Sequence, residues 1–379
     1  MKQRAAIVGV GATPLSRDAG VSCQELACAA INAALQDAGV TREQLDGLLA
    51  YSLGDSVPVT TVARALGLPR LRWHNDIHGG GSQSVSILWE ASRALQEGLA
   101  DYIVVFRAVR SASGARMGQI RLGAGDDIES QFVTPYGLRG PVNLFALTAQ
   151  RWLQQRGHAA NELYHVVARQ REYAAHNPRA MFRQPLTRAQ YDEAPLVASP
   201  LRRLDCCRES DGAIALLLCR EELAGDAHSP VFLRAAVRGG GPGGVYWDKA
   251  DSLDRIYSHY IAGELYRQAG LTPADIDLAM LYDAYSFLVP AQLEDFGFCE
   301  RGRALPFLAA GKTASGGELP VNTNGGMLSE GYVHGLNNTM EAVLQLRGEA
   351  GERQVQGAAN ALCSGFGGRY GAAAILTTD

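Results

Sequence analysis

Long apolar segments, an excess of positive charge and paired cysteines are all missing from this 379-residue chain. No apolar run approaches the ~18 residues that a membrane-spanning helix needs, so we expect no membrane association. The formal net charge of −4 lacks the basic footprint of a nucleic-acid-binding protein. The N-terminus leads directly into a strand-like segment without the features of a signal peptide. These absences predict a cytoplasmic protein that binds neither nucleic acid nor membrane.

Cysteine is scarce, and histidine is not clustered. Seven cysteines, an odd number, are scattered along a long chain, which argues against a disulfide framework and favours reduced, mostly buried thiols. His74 and His78 are four residues apart, but we expect them on a loop that runs into Gly79, not on one helix face. The sequence therefore predicts no metal site.

Lysine is rarer still. Only Lys2, Lys249 and Lys312 are present, and none stands at the predicted end of a strand. A Schiff-base mechanism requires an active-site lysine that attacks a carbonyl group. The positions of the three lysines argue against that chemistry.

What the chain does contain is a repeat. Residues 35–51 (LQDAGVTREQLDGLLAY) and 266–282 (YRQAGLTPADIDLAMLY) are identical at five positions. Both predict the end of a helix, a glycine stop, a Thr-led turn and an apolar strand. Residues 211–219 and 370–378 form a second pair of similar apolar runs, typical of buried central strands.

The repeat divides the chain into two halves. A Gly-rich segment lies between the two landmarks of each half, at 78–82 and at 324–331. We predict a duplicated α/β domain with halves at 1–225 and 226–379. Alternating strands and helices predict mostly parallel sheets wrapped by helices. Residues from about 112 to 205 are richer in Arg, Gln, Tyr and Pro, and we interpret them as an insertion that either covers a cleft or is an ordinary surface excursion.

The C-terminal residues carry a specific resemblance. LPVNTNGGMLSEGYVHG (319–335) resembles the thiolase segment that ends in Gly-His-Pro-x-Gly, while 341–355 and 361–368 resemble sterol-carrier-type thiolases and their lipid-transfer relatives. The likeness covers nearly the whole chain. It implies an α/β protein of the thiolase fold, with duplicated halves in five α-β-α-β-α layers and an insertion loop domain.

The positions that are catalytic in thiolases hold other residues here. The nucleophile's Cys-Ala-Ser-Gly turn corresponds to a turn that begins at Gly80, so glycine replaces the cysteine. Tyr332 replaces the histidine of Gly-His-Pro-x-Gly, and Tyr282 replaces the asparagine of Asn-Glu-Ala-Phe. Only Cys363 matches the family's second cysteine. Because a covalent acyl-enzyme cannot form without that thiolate or a substitute, Claisen chemistry through a cysteine is excluded.

The double-tyrosine pattern resembles the lipid-transfer-protein-type aldolases of bacterial steroid side-chain degradation. That resemblance implies cleavage of the Cα–Cβ bond of a β-hydroxyacyl-CoA from a steroid or bile-acid side chain of the C17-hydroxy type, giving a ring ketone and a short acyl-CoA such as propionyl-CoA. Coenzyme A enters only as part of the substrate, and no cofactor is expected. The resemblance also implies a homodimer and an accessory protein with an OB-fold and a zinc ribbon, sometimes fused to a hydratase-like domain.

A retro-aldol step needs a base for the β-hydroxyl, stabilisation of the enolate and an acid for Cα. A phenol with its ordinary pKa near 10 is a poor base without help. We predict that Tyr282 and Tyr332 share the base and acid roles, in an order that stays open, and that N–H groups of a Gly-rich turn hold the enolate. Tyr285 is a rival in the same motif. The residues expected to bind substrate are Gly80, Ser82, His334, Cys363 and Gly367.

Other interpretations of these residues stay open. Gly80-Gly-Ser-Gln-Ser84 approaches the Gly-x-Ser-x-Gly elbow but lacks its last glycine, and Ser82 is more simply a cap of the following helix. Gly9-Val-Gly-Ala-Thr-Pro14 is a weak dinucleotide match, because Pro14 stands at the third glycine position. The rival functions are a non-catalytic acyl-CoA or lipid-binding subunit, and an acyltransferase that uses Cys363 or Ser82.

Incubation with a β-hydroxyacyl-CoA, followed by mass spectrometry, separates the three functions. An aldolase releases a ketone and a shorter acyl-CoA and leaves the protein mass unchanged, because no residue forms an ester or thioester. A covalent acyl adduct on the protein would instead support the acyltransferase, and recovery of intact substrate would support the binding subunit.

Overall fold

A computed structural model describes residues 4–114, 116, 131–132, 134–138, 140–225, 227–242, 252–366 and 368–379. The strands of these residues are β1 (Ala5–Ala12), β2 (Gly47–Ser52), β3 (Trp73–His78), β4 (Tyr102–Arg110), β5 (Leu196–Ala198), β6 (Leu201–Arg202), β7 (Asp211–Arg220), β8 (Val231–Gly240), β9 (Leu278–Met280), β10 (Asn360–Phe366) and β11 (Tyr370–Thr377). The helices are α1 (Cys23–Ala38), α2 (Val59–Leu66), α3 (Gln83–Gln96), α4 (Pro141–Arg156), α5 (Tyr164–Ala175), α6 (Arg188–Asp192), α7 (Tyr257–Ala269), α8 (Leu288–Asp295), α9 (Ala304–Ala309), α10 (Gly326–Ser329) and α11 (Leu336–Arg347).

The strand order shows the duplication directly. Nine strands follow the order β3-β2-β4-β7-β1-β8-β11-β10-β9. From the middle outward, the first half runs β1-β7-β4-β2 and the second runs β8-β11-β10-β9, which is the same arrangement. The two halves join where β1 pairs with β8 over only two residues. At the position equivalent to β3, Val321 forms a single parallel bridge with Ala279.

The layers match the predicted five. Helix α1 packs on β1 and β7 from one outer side, and α7 packs on β8 and β11 from the other. Helices α3 and α11 contact strands of both halves and share one hydrophobic cluster with them, so they form the central layer. The thiolase architecture expected from the sequence is therefore present.

The prediction of mostly parallel sheets is wrong. β2 is parallel to β3 and β4, and β9 is parallel to β10. All the other pairings in the nine-stranded sheet are antiparallel. Only three residues, 367–369, separate β10 from β11, and such a short connection allows only an antiparallel return.

The repeated aspartate performs the same task in both halves. Asp46 Oδ1 accepts hydrogen bonds from the N–H groups of Asp101 and Tyr102, at 2.9 and 3.0 Å. Asp277 Oδ2 accepts from the consecutive N–H groups at 359 and 360, at 2.9 and 2.8 Å. Asp46 precedes β2 and fixes the start of β4, the strand that pairs with β2. Asp277 precedes β9 and fixes the start of β10, the strand that pairs with β9. The helices before these turns end, as predicted, at left-handed glycines, Gly39 and Gly270.

The insertion packs against the second half. Helix α4 contributes Trp152 and Leu153 to the hydrophobic cluster that contains α7, α8 and the site tyrosines. Phe145 of the same helix packs on Tyr285 and Phe366, with ring centroids 4.7 and 5.1 Å apart. The described part of the insertion therefore packs against residues next to the site.

His74 and His78 lie on β3, not on a loop, and both are exposed at the edge of the sheet. The described residues contain no group of three or more metal-ligating side chains. None of their helices has both the length and the apolar character required to span a membrane.

The glycines of the Gly-x-Gly motif in β1 serve helix packing. A Cβ atom on Gly11 would lie 2.0 Å from the backbone oxygen of Ala30, and one on Gly9 would lie 2.2 Å from that of Ala34. Both contacts are with α1, which approaches the strand at backbone distance. This packing explains the two glycines without a dinucleotide.

We expect Gly11→Ala to lower the free energy of unfolding by about 3 kcal/mol, because the backbone of α1 must move away. Gly263→Ala is the matched control. Gly263 lies in α7 with no atom within 4 Å of an added Cβ, so we expect that variant to be about 0.5–1 kcal/mol more stable. Equal effects of the two substitutions in urea unfolding would contradict this account of β1.

Candidate active site

Tyr282 follows β9 and is held by its backbone. Its N–H donates to Ser364 Oγ at 2.8 Å, and its carbonyl oxygen accepts from Gln292 Nε2 at 2.8 Å. Ser364 Oγ in turn donates to Gln292 Oε1 at 2.6 Å. β10 and α8 thus fix the direction from which the phenol enters the site.

Tyr332 is held by the first half of the chain. Its N–H donates to Ser210 Oγ at 2.9 Å, and the Ser210 hydroxyl donates back to the Tyr332 carbonyl at 3.0 Å. Residue 209 also forms a parallel bridge with Tyr332. The segment that enters β7 therefore places the second tyrosine opposite the first.

The two phenols meet. Tyr282 Oη and Tyr332 Oη are 3.1 Å apart, and either hydroxyl can be the donor. The tyrosines expose only 3% and 5% of their surface. Burial raises the pKa of both hydroxyls well above the ordinary value near 10. Both phenols are therefore neutral over the whole physiological pH range.

The turn before α3 is shaped to accept Tyr282. A Cβ atom on Gly81 would lie 2.1 Å from Tyr282 Oη and 2.2 Å from its Cζ. A Cβ atom on Gly80 would lie 3.2 Å from Leu53 Cδ1 and 3.5 Å from His334 Nε2. Gly81 therefore leaves room for the phenol, and Gly80 faces the histidine.

Asp283 connects the two tyrosine segments. Its carboxylate accepts hydrogen bonds from the N–H groups of Met327 and Leu328 and from Asn338 Nδ2. Burial raises its pKa to about 7, against these hydrogen bonds, which lower it. The residue next to Tyr282 thereby anchors the short helix α10, three residues before Tyr332.

His334 lies beside Tyr332, with ring centroids 4.7 Å apart. Its Nδ1 faces the guanidinium of Arg107, with Nε at 3.0 Å and Nη2 at 2.7 Å. Arg107 Nη2 also bonds Asp55 Oδ2 at 2.5 Å. Burial, together with the positive charge of Arg107, lowers the pKa of His334 to about 3, so its imidazole is neutral.

The other predicted site residues differ in placement. Ser82 is buried at the start of α3, but its side chain makes no capping hydrogen bond, so the predicted cap is wrong. The reason is its backbone, which is already helical (φ −60°, ψ −22°), whereas a capping residue is normally extended.

Cys363 is buried on β10 in the central-layer cluster, while its neighbour Ser364 contacts Tyr282. Burial raises the pKa of the Cys363 thiol, the opposite of what an activated nucleophile requires. Tyr285 packs on Phe145 of the insertion. Gly367 lies outside the described residues.

Comparison with known proteins identifies the group. The sequence model for the thiolase C-terminal domain-like family matches residues 258–378. The 17-hydroxy-3-oxo-4-pregnene-20-carboxyl-CoA lyase of Mycobacterium tuberculosis is 38% identical over 357 residues, covering 91% of this chain and 92% of that protein. The steroid side-chain-cleaving aldolase of Thermomonospora curvata is 37% identical over 361 residues, covering 91% and 90%. The chain belongs to the family of thiolase-fold side-chain-cleaving aldolases.

A solved structure agrees with this family. The Ltp2-ChsH2(DUF35) aldolase superposes with a TM-score of 0.92 at 34% identity, over 99% of this chain and 98% of that chain. The aldolase described here is thus a lyase with the thiolase fold, and its expected family and enzyme class are confirmed.

Several residues around the aldolase site were missed by sequence reasoning. Ser210, Gln292 and Ser364 hold the tyrosine backbones, and Asp55 with Arg107 holds His334. Ser364 and Asp283 lie beside motif residues, so adjacency could have suggested them. Ser210, Arg107 and Asp55 lie between 52 and 227 positions from the residues they bond. Gln292 lies ten positions after Tyr282, and no local pattern marks any of the four.

The close approach of Tyr282 to Gly81 can be tested through the free energy of unfolding. We expect Gly81→Ala to cost about 3 kcal/mol of unfolding free energy with Tyr282 present, because the ring must move. In a Tyr282→Ala background the same substitution should cost less than about 1 kcal/mol, since the obstructing ring is gone. The double-mutant cycle is measured by urea unfolding. An equal cost in both backgrounds would mean that the ring does not set the identity of residue 81.

Proposed function

We propose that this aldolase cleaves the Cα–Cβ bond of a β-hydroxyacyl-CoA with a C17-hydroxy steroid or bile-acid side chain. The products are a ring ketone and a short acyl-CoA such as propionyl-CoA. The observation that carries the proposal is the pair of buried tyrosine hydroxyls 3.1 Å apart beside a glycine turn. The names of the two curated relatives, a pregnene-carboxyl-CoA lyase and a steroid side-chain-cleaving aldolase, support the substrate class.

The proposed chemistry moves one proton through the phenol pair. One tyrosine accepts the proton of the β-hydroxyl as the carbonyl of the ketone forms and the Cα–Cβ electrons pass to the thioester as an enolate. The other tyrosine donates a proton to Cα. The hydrogen bond between them lets a proton pass from the first phenol to the second, so both end neutral. Burial raises the pKa of both phenols, so they start neutral. The first phenol must therefore pass its own proton to the second in the same step in which it receives the proton of the β-hydroxyl.

Coenzyme A takes part only as the thioester of the substrate, and the mechanism needs no other cofactor. We further propose an accessory subunit with an OB-fold and a zinc ribbon, since the name of the similar solved structure couples Ltp2 with ChsH2(DUF35). A homodimer is proposed as well, and β3, an edge strand of the sheet, offers a surface for it. All seven cysteines are free, which supports a place in the reducing cytoplasm.

We expect Tyr282→Phe and Tyr332→Phe each to lower kcat for a 17-hydroxy steroid acyl-CoA at least about 100-fold, because each removes one link of the proton path. Both rings remain, so the fold should persist. Ketone and acyl-CoA are quantified by liquid chromatography and mass spectrometry, with the accessory subunit co-expressed.

Tyr285→Phe is the matched control. It removes a hydroxyl from a neighbouring buried tyrosine that packs on Phe145, and we expect kcat within about threefold of the unmodified protein, since a packing ring loses little when its hydroxyl is removed. Near-normal turnover in both Tyr282→Phe and Tyr332→Phe would reject the assignment. A strong loss in Tyr285→Phe alone would transfer the role to that residue.

A further inference from the structure

One buried polar atom at the site takes no part in the proton path of the two phenols. His334 is completely buried, and its Nε2 atom has no hydrogen-bond partner among the described residues. A buried N–H without a partner costs about 1–3 kcal/mol, so the few such groups in a native protein call for an explanation. This one faces the turn that precedes α3.

The partner at Nδ1 determines what Nε2 can do. A guanidinium only donates hydrogen bonds and stays protonated at all physiological pH values. Arg107 therefore occupies the lone pair of His334 Nδ1, and the neutral imidazole must carry its hydrogen on Nε2. Asp55, bonded to Arg107 Nη2 at 2.5 Å, holds the guanidinium in place and balances its charge. Nε2 is thus a fixed donor and cannot act as a base.

The backbone of His334 is held in an unusual conformation. Its φ is +51°, a left-handed value that non-glycine residues seldom adopt. The hydroxyl of Tyr51 donates to the His334 carbonyl oxygen at 3.2 Å. Surrounding residues thus maintain a strained backbone, an arrangement that is concentrated at functional sites.

Nε2 and the hydroxyl of Tyr282 both lie against the turn formed by Gly80 and Gly81. An added Cβ on Gly80 would lie 3.5 Å from His334 Nε2, and one on the next residue, Gly81, would lie 2.1 Å from Tyr282 Oη. The 14-residue helix α3 begins directly after this turn, and its N-terminus favours negative charge. A thioester placed against the turn would have the phenols near its reacting carbons and the imidazole N–H near its oxygen.

We propose that His334 is a catalytic residue whose Nε2–H donates a hydrogen bond to the thioester oxygen, with Arg107 and Asp55 as positioning residues. The inference rests on the proposed function and assigns the enolate-stabilising group of that reaction. When the Cα–Cβ bond breaks, its electron pair forms the C=C bond of the enolate, and the negative charge appears on the thioester oxygen. The hydrogen bond strengthens at that moment. His334 keeps its proton throughout, and protonation of Cα returns the electrons to carbon.

The test uses two reactions of the complex with its accessory subunit. The first is cleavage of the steroid β-hydroxyacyl-CoA. The second is exchange of the Cα hydrogens of propionyl-CoA with deuterium from D2O, followed by mass spectrometry. Exchange requires the enolate but no β-hydroxyl, so it reports on the group that stabilises the enolate.

His334→Phe removes the donor and keeps a planar ring, whereas His334→Gln retains an amide N–H at a similar distance from the backbone. Loss of one oxyanion donor lowers kcat by about 10²–10³. We expect His334→Phe to lose about that factor in both cleavage and exchange with KM changed less than about threefold, and His334→Gln to recover at least about tenfold of it. His158→Phe, on a side chain that stacks on Trp152 in the insertion, is the control for loss of a partly buried imidazole.

The outcomes separate this inference from the proposed function. If the unmodified complex cleaves the substrate and His334→Phe does so within about threefold, the inference is overturned while the aldolase assignment stands. Equal activity of the Phe and Gln variants at a low level would also overturn it, because the donor would then not be what matters. If the unmodified complex neither cleaves nor exchanges, the proposed function itself fails.

Discussion

The hydrogen bond between Tyr282 and Tyr332 is the interaction on which the rest of the site depends. It joins two buried side chains, 50 positions apart in the chain, at 3.1 Å. Its geometry requires glycine at position 81, because any side chain there would occupy the place of the Tyr282 hydroxyl. The phenol of Tyr282 therefore fits against this turn because residue 81, next to the glycine that stands at the nucleophile's position, has no side chain.

The duplicated fold explains how these groups converge. Tyr51 and Tyr282 occupy the same position of the internal repeat, just beyond the aspartates that perform one task in both halves. Each tyrosine reaches the segment 331–335: Tyr51 bonds the His334 carbonyl, and Tyr282 bonds the Tyr332 hydroxyl. Equivalent tyrosines of the two halves therefore contact residues 331–335 from two sides. Ser210, from the strand segment entering β7, adds the third contact.

Burial gives the site a consistent electrostatic character. It raises the pKa values of both phenols and lowers that of His334, so all three are neutral. The charges of Arg107 and Asp55, beside His334, are paired with each other. A negative charge that develops on a substrate here meets oriented donors rather than a counter-ion. Such preorganised dipoles act strongly where water is excluded.

The residue pattern by itself determined the duplication, because it is repeated along the chain. The resemblance of local motifs to thiolases implied the five layers, the replaced nucleophile and the two candidate tyrosines. Sequence reasoning failed where the answer depends on distant segments. Strand direction followed from connection length between β10 and β11, not from helix alternation. Ser82 did not become a side-chain cap, and His74 and His78 lie on an edge strand. The 3.1 Å contact, the room that Gly81 leaves and the Arg107–His334 bond join residues between 50 and 227 positions apart. Only tertiary packing decides such contacts, because nothing local in the sequence carries the distance between two remote side chains.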